Sequence, residues 1–88
     1  MTATTTVQVT IRYFAAAAAA AGVETETLDI ATGTTISALI EQLAGRNPEL
    51  ARVLKRCSYL CDGVAVRDIE RAVLTPQTLD VLPPFAGG

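Results

Sequence analysis

Eighty-eight residues, half of them apolar and 18% charged, suffice for one domain with one core that buries about 60% of the unfolded chain's surface. A net charge of -2 leaves no basic footprint for nucleic acid or anionic lipid, so neither is expected as a partner. The chain has no histidine, the commonest metal ligand and the commonest general base at neutral pH, which argues against a resident metal and against catalysis by this chain alone.

In chain order, Val7, Val9, Ile11 and Tyr13 alternate with Gln8, Thr10 and Arg12, the period of two of a half-buried strand. Phe14 and the alanine run Ala15–Ala21 follow. Alanine is the best intrinsic helix former, so a short helix or turn is predicted there, stopped by a left-handed Gly22. Glu24–Ile30 sets Leu28 and Ile30 against Asp29 and reads as a second strand with a polar face, closed by a turn at 31–33. Thr34 or Thr35 then caps a helix whose Ile36, Leu39, Ile40 and Leu43 recur at i, i+3, i+4, i+7, one stripe facing a sheet. Gly45 ends it. Asn47-Pro48 opens a second short helix, Leu50, Val53 and Leu54 continue the stripe, and Lys55 and Arg56 suit its C-terminal end. Asp62-Gly63, between Cys57–Cys61 and Val64–Val66, is a two-residue loop of the type I′ hairpin kind. Residues 67–78 read as irregular, with a turn at Leu74-Thr75-Pro76, and Leu79–Leu82 as the last strand. A hairpin, one main amphipathic helix and further strands predict an α+β fold, the helix laid across one face of a mixed sheet.

Cys57 and Cys61 are too few for a disulfide framework. On one strand their Cα atoms would lie about 13 Å apart, beyond disulfide reach. They read as small buried or half-buried hydrophobes, with a reactive thiol or intermolecular pairing as alternatives. Met1–Thr6 lacks a basic n-region and the alanine run is too short to span a bilayer, so a cytoplasmic setting without signal peptide or membrane span is expected.

The last seven residues, Leu82-Pro83-Pro84-Phe85-Ala86-Gly87-Gly88, carry the chemistry. Two prolines hold φ near about -65° and favour an extended arm. Residues 1–82 therefore read as the body and 83–88 as the arm. Ordering the arm costs about 1–2 kcal/mol per residue, which must be offset by contacts with a second protein. Glycine lacks a Cβ, so Gly87 and Gly88 could thread a narrow channel. The Gly88 carboxylate is a poor electrophile until activated as an acyl-adenylate, when a sulfur or amine nucleophile can attack it. The alternative is a frayed chain end.

Arg12-Tyr13-Phe14-Ala15-Ala16, the Ala-Gly at 21–22, the Asp62-Gly63 hairpin and above all the Pro-Pro-x-x-Gly-Gly end resemble the small, sulfur-carrying subunit of molybdopterin synthase, a ubiquitin-like β-grasp family. The resemblance spans nearly the whole chain. It implies a non-catalytic, sulfur-donating subunit that binds no cofactor of its own. An E1-like activating enzyme would adenylate Gly88 with ATP, and sulfur would replace AMP to give a thiocarboxylate. The arm would enter the large catalytic subunit of a heterotetramer, where sulfur passes to cyclic pyranopterin monophosphate. Gly88 would carry the sulfur, Gly87 and Ala86 give access, and Phe85, Pro84 and Pro83 anchor the arm. Phe14 would join Phe85 in an apolar docking patch or belong to the core. A carrier for thiamine, cysteine or tRNA thiolation and a ubiquitin-like modifier are the alternatives. In one place the chain departs from the family: an Arg-Glu pair often falls in the stretch matching Ala17–Ala20, and here every position is alanine. Any polar contact made from that turn is missing or replaced.

Overall fold

The computed structural model describes residues 5–84, which form β1 (Thr6–Tyr13), α1 (Ala16–Ala21), β2 (Thr25–Ala31), α2 (Ile36–Ala44), α3 (Pro48–Leu54), β3 (Ser58–Cys61), β4 (Val64–Ala65) and β5 (Gln77–Leu82). One mixed sheet results, in the order β2-β1-β5-β3-β4. The pairing of β1 with β5 is parallel; β1 with β2, β3 with β5 and β3 with β4 are antiparallel. The last strand thus lies in the middle of the sheet, and the chain leaves from its centre.

The alternation read in β1 is the burial pattern observed: Val7, Val9, Ile11 and Tyr13 are buried, and the residues between them are not. They meet Leu79 and Val81 of β5 and the stripe of α2, where Ile36, Leu39 and Leu43 are almost fully enclosed. Each such leucine or isoleucine contributes about 1.5–3 kcal/mol by leaving water. Ile40 is only half-buried, so the stripe is narrower than its spacing suggested.

The helix starts follow from their caps. Thr35 Oγ1 accepts from the Ala38 N–H at 3.0 Å, and Asn47 Oδ1 accepts from the Leu50 N–H at 2.7 Å, with Pro48 in the first turn of α3. Six alanines alone do not hold a helix in water. In α1 they are held by the burial of Ala17 and by the Asn47 amide, which donates to Ala20 O at 3.3 Å. Gly22, at φ 82°, closes the helix in the left-handed conformation expected of it.

The segment read as irregular is pinned to the entrance of α2. Val73 is buried, its N–H donates to Thr34 O at 2.8 Å, and its carbonyl accepts from the Gly33 N–H at 2.9 Å. β5 begins at Gln77, two residues before the first strongly apolar position, because the hairpin loop reaches across: Asp62 Oδ1 accepts from the Thr78 N–H at 2.9 Å. That loop has φ of 50° at Asp62 and 83° at Gly63, the type I′ geometry expected of Asp-Gly.

Candidate functional site

The site begins where β5 ends. Val81 is wholly buried, Leu82 and Pro83 are half-buried, and Pro84 is exposed. The remaining site residues named from the sequence, Phe85, Ala86, Gly87 and Gly88, lie outside the described residues.

Phe14 sits beside this exit. The last residue of β1, Tyr13, pairs in register with Val81, and the next N–H, that of Phe14, donates to Val81 O at 3.2 Å. Phe14 is half-buried and lies outside the core cluster, so of the two readings above the core one does not hold. The Arg12 guanidinium lies over the ring, 5.3 Å from its centroid, while Arg12 Nε stands 3.3 Å from Asp80 Oδ1 on the neighbouring strand. Asp80 Oδ1 is buried with no hydrogen bond of good geometry, so this ion pair is its electrostatic partner. Sequence reading missed the pair; Arg12 and Asp80 become neighbours only through the parallel β1–β5 register.

Beside Phe14 the chain turns through Ala15 at φ 50° and ψ -125°, a conformation that L-residues rarely adopt. An open cleft of about 420 Å³ follows, walled by Phe14, Ala15, Ala18, Glu24 and Thr25. Arg12 and Tyr13 complete the wall, so the cleft is mixed in character, with one cation and one carboxylate beside the Phe14 ring and the alanines.

A second polar cluster lies at the core side of β2. Tyr13 Oη donates to Glu26 Oε2 at 2.7 Å, and Arg46 Nη1 bridges both Glu26 oxygens at 2.5 and 2.6 Å. Burial alone would raise the Glu26 carboxyl, but the hydrogen bonds from Arg46 and Tyr13 outweigh it and leave it below its ordinary 4.5. Burial and the bond to Glu26 push the Tyr13 phenol well above its ordinary value, so it stays a donor. The period of β2 could have revealed this, since Glu26 falls on the same face as Leu28 and Ile30.

Neither cysteine is poised for chemistry. Cys57 lies just before β3 rather than on it; its Sγ donates to Val53 O at 3.2 Å, and burial raises its pKa. Cys61 is buried, and its Sγ donates to Gln77 Oε1 at 2.7 Å; burial raises it too, against the influence of Arg71. Both are thiols at neutral pH, which makes them poor nucleophiles. Among the described residues no three His, Cys, Asp or Glu side chains gather as metal ligands, and no helix is long and apolar enough to cross a membrane.

A five-stranded mixed sheet gripping one main helix, with its final strand in the centre, defines the ubiquitin-like β-grasp class, and solved ubiquitin-like domains share the fold. The chain belongs to the ThiS family, whose pattern matches residues 11–88. It is 28% identical over 82 residues to the molybdopterin synthase sulfur carrier subunit of Chlamydomonas reinhardtii, covering 92% of this chain and 99% of that one. SAMP1 from Haloferax volcanii is 26% identical with a TM-score of 0.78, over 92% of this chain and 99% of that one. A complex of subunits 1 and 2 of molybdopterin-converting factor from Helicobacter pylori contains the same fold, with a TM-score of 0.67 at 16% identity, over 93% of this chain and 100% of that one.

Proposed function

We propose that this chain is the sulfur carrier of a molybdopterin synthase. The observation that carries the reading is the family match running through residue 88, so that it includes the Pro-Pro-x-x-Gly-Gly segment. The near full-length similarity to a molybdopterin synthase sulfur carrier subunit supports it. Residues 1–82 act as the body and 83–88 as the arm. In the first step the Gly88 carboxylate attacks the α-phosphorus of ATP on an E1-like enzyme, and pyrophosphate leaves. Hydrosulfide then attacks the acyl carbon and AMP leaves, giving the thiocarboxylate. The arm next enters a large catalytic subunit, which supplies the acid and base that a histidine-free chain lacks, and sulfur passes to cyclic pyranopterin monophosphate. Phe14 and the two prolines stand at the rim of the joint with that subunit.

The similarity to SAMP1, a small archaeal modifier protein, favours a second reading in which Gly88 is joined to lysine. Mass spectrometry of protein taken from cells separates the two: a gain of about 16 Da confined to Gly88 marks oxygen replaced by sulfur, whereas an isopeptide to lysine marks a modifier. Mixing with purified large subunits then tests the pathway. A complex with a molybdopterin synthase large subunit at micromolar concentration is expected, and its absence, or a complex only with a thiamine-pathway acceptor, would defeat the molybdopterin assignment.

A further inference from the structure

The two edges of the sheet are treated differently by the fold. At one edge β4 has two residues, too short to template another strand. At the other, β2 runs for seven residues, Thr25-Glu26-Thr27-Leu28-Asp29-Ile30-Ala31, paired to β1 without a bulge and without Pro, Gly or Lys; its one inward-pointing charge, Glu26, is neutralised by Arg46.

The hydrogen-bond alternation shows what that edge offers. The Tyr13 N–H donates to Glu24 O at 2.8 Å, and the Thr32 N–H donates to Thr5 O at 3.0 Å. In an antiparallel pair bonded residues alternate, so positions 24, 26, 28, 30 and 32 bond to β1, and Thr25, Thr27, Asp29 and Ala31 turn their backbone groups outward. Only the Ala31 carbonyl is used, by the Thr34 N–H and hydroxyl. The other outward groups have no protein partner among the described residues. They repeat about every 6.7 Å and match the spacing of an added strand.

Charge selects the occupant. Asp29 is exposed on the outer face of β2 and has no ion-pair partner among the described residues, and Arg12, on the same face of β1, is held by Asp80. Two copies joined through β2 would bring two Asp29-bearing edges together, whereas a strand carrying lysine or arginine on that face would be attracted. We propose that the β2 edge is a strand-addition site for an extended, cationic segment of another protein. It begins at Thr25, in the wall of the cleft beside Phe14, and lies outside the sulfur chemistry, so its failure leaves the carrier reading standing.

The probe is a capped seven-residue peptide of alternating valine and lysine, with its valine–glutamate counterpart as control. On isotope-labelled full-length protein at about 1 mM peptide, the amides of Thr25, Thr27, Asp29 and Ala31 should gain protection from hydrogen exchange, and the glutamate peptide should give none. Thr27→Pro removes an outward donor while sparing the β1 ladder and should abolish binding. If that variant unfolds, Asp29→Lys decides the matter, weakening the lysine peptide about two- to fivefold. Unchanged exchange at the four amides, equal binding of both peptides, or a β2-mediated dimer in sedimentation would each overturn the proposal.

Discussion

Glu26 is a carboxylate on the core-facing side of a strand, and it survives there because Tyr13 and Arg46 supply donors for its oxygens. Its lowered pKa means that the unfolded chain binds a proton more readily. The stabilisation is therefore present above the ordinary value of 4.5 and is lost as pH falls through the lower folded value. Urea-unfolding midpoints measured between about pH 3 and 7 should decline on the acid side, and Glu26→Gln should flatten that decline while lowering the neutral-pH plateau. A wild-type acid limb kept intact in the variant would place the titration elsewhere. Tyr13 and Tyr59, both raised by burial, act in the opposite window: their contribution is complete below their ordinary 10.0 and fades as pH rises beyond it. Ala15 poses a different test. Its φ of 50° costs an L-residue about 1–3 kcal/mol, against about 0.4–1 kcal/mol of extra unfolded-state entropy for glycine. Ala15→Gly should thus leave the Tm unchanged or raise it, where most substitutions lower it.

At the scale of elements, Asn47 joins two helices: it caps α3 through Leu50 and, by its amide, holds the last turn of α1 at Ala20. Asn47→Ala should cost about 1–2 kcal/mol in denaturant unfolding, more than the roughly 1 kcal/mol expected for Thr35→Ala, which loses a cap alone. Equal losses would mean the link to α1 contributes nothing. These caps were legible in the sequence, as were the alternation of β1, the stripe of α2 and the Asp-Gly hairpin, because each depends on residues within a few positions of one another. Three features were not. The β1–β5 register that brings Arg12 to Asp80 joins residues 68 apart and leaves no local signal. The pinning of Val73 beside Thr34 depends on a loop with no periodicity. The position of Phe14 outside the core follows from where the sheet stops, not from the side chain's apolarity. Of the candidate site, the Gly-Gly end is a reading from the sequence that lies outside the described residues, while the rim of Phe14, Arg12 and Asp80 required the fold.

For the whole molecule, stability and function should separate along the chain. Among the described residues, every buried core residue lies between Val7 and Val81, and the body is expected to draw its folding energy from that span. Leu39→Ala removes a side chain only 1% exposed and should cost about 2–5 kcal/mol, yet leave sulfur transfer intact at temperatures where the variant stays folded. Removing Gly87 and Gly88 should do the reverse. The Tm should move by less than about 4 °C, equivalent to under about 1 kcal/mol, while adenylation and every later step disappear, because the reacting carboxyl is displaced from the end that must thread its partners. Scanning calorimetry beside an assay of sulfur transfer reads both quantities on one sample. A truncated chain that still transfers sulfur would show that the acyl carbon of Gly88 is not the reacting centre, and a truncated chain that no longer folds would show that the arm belongs to the body.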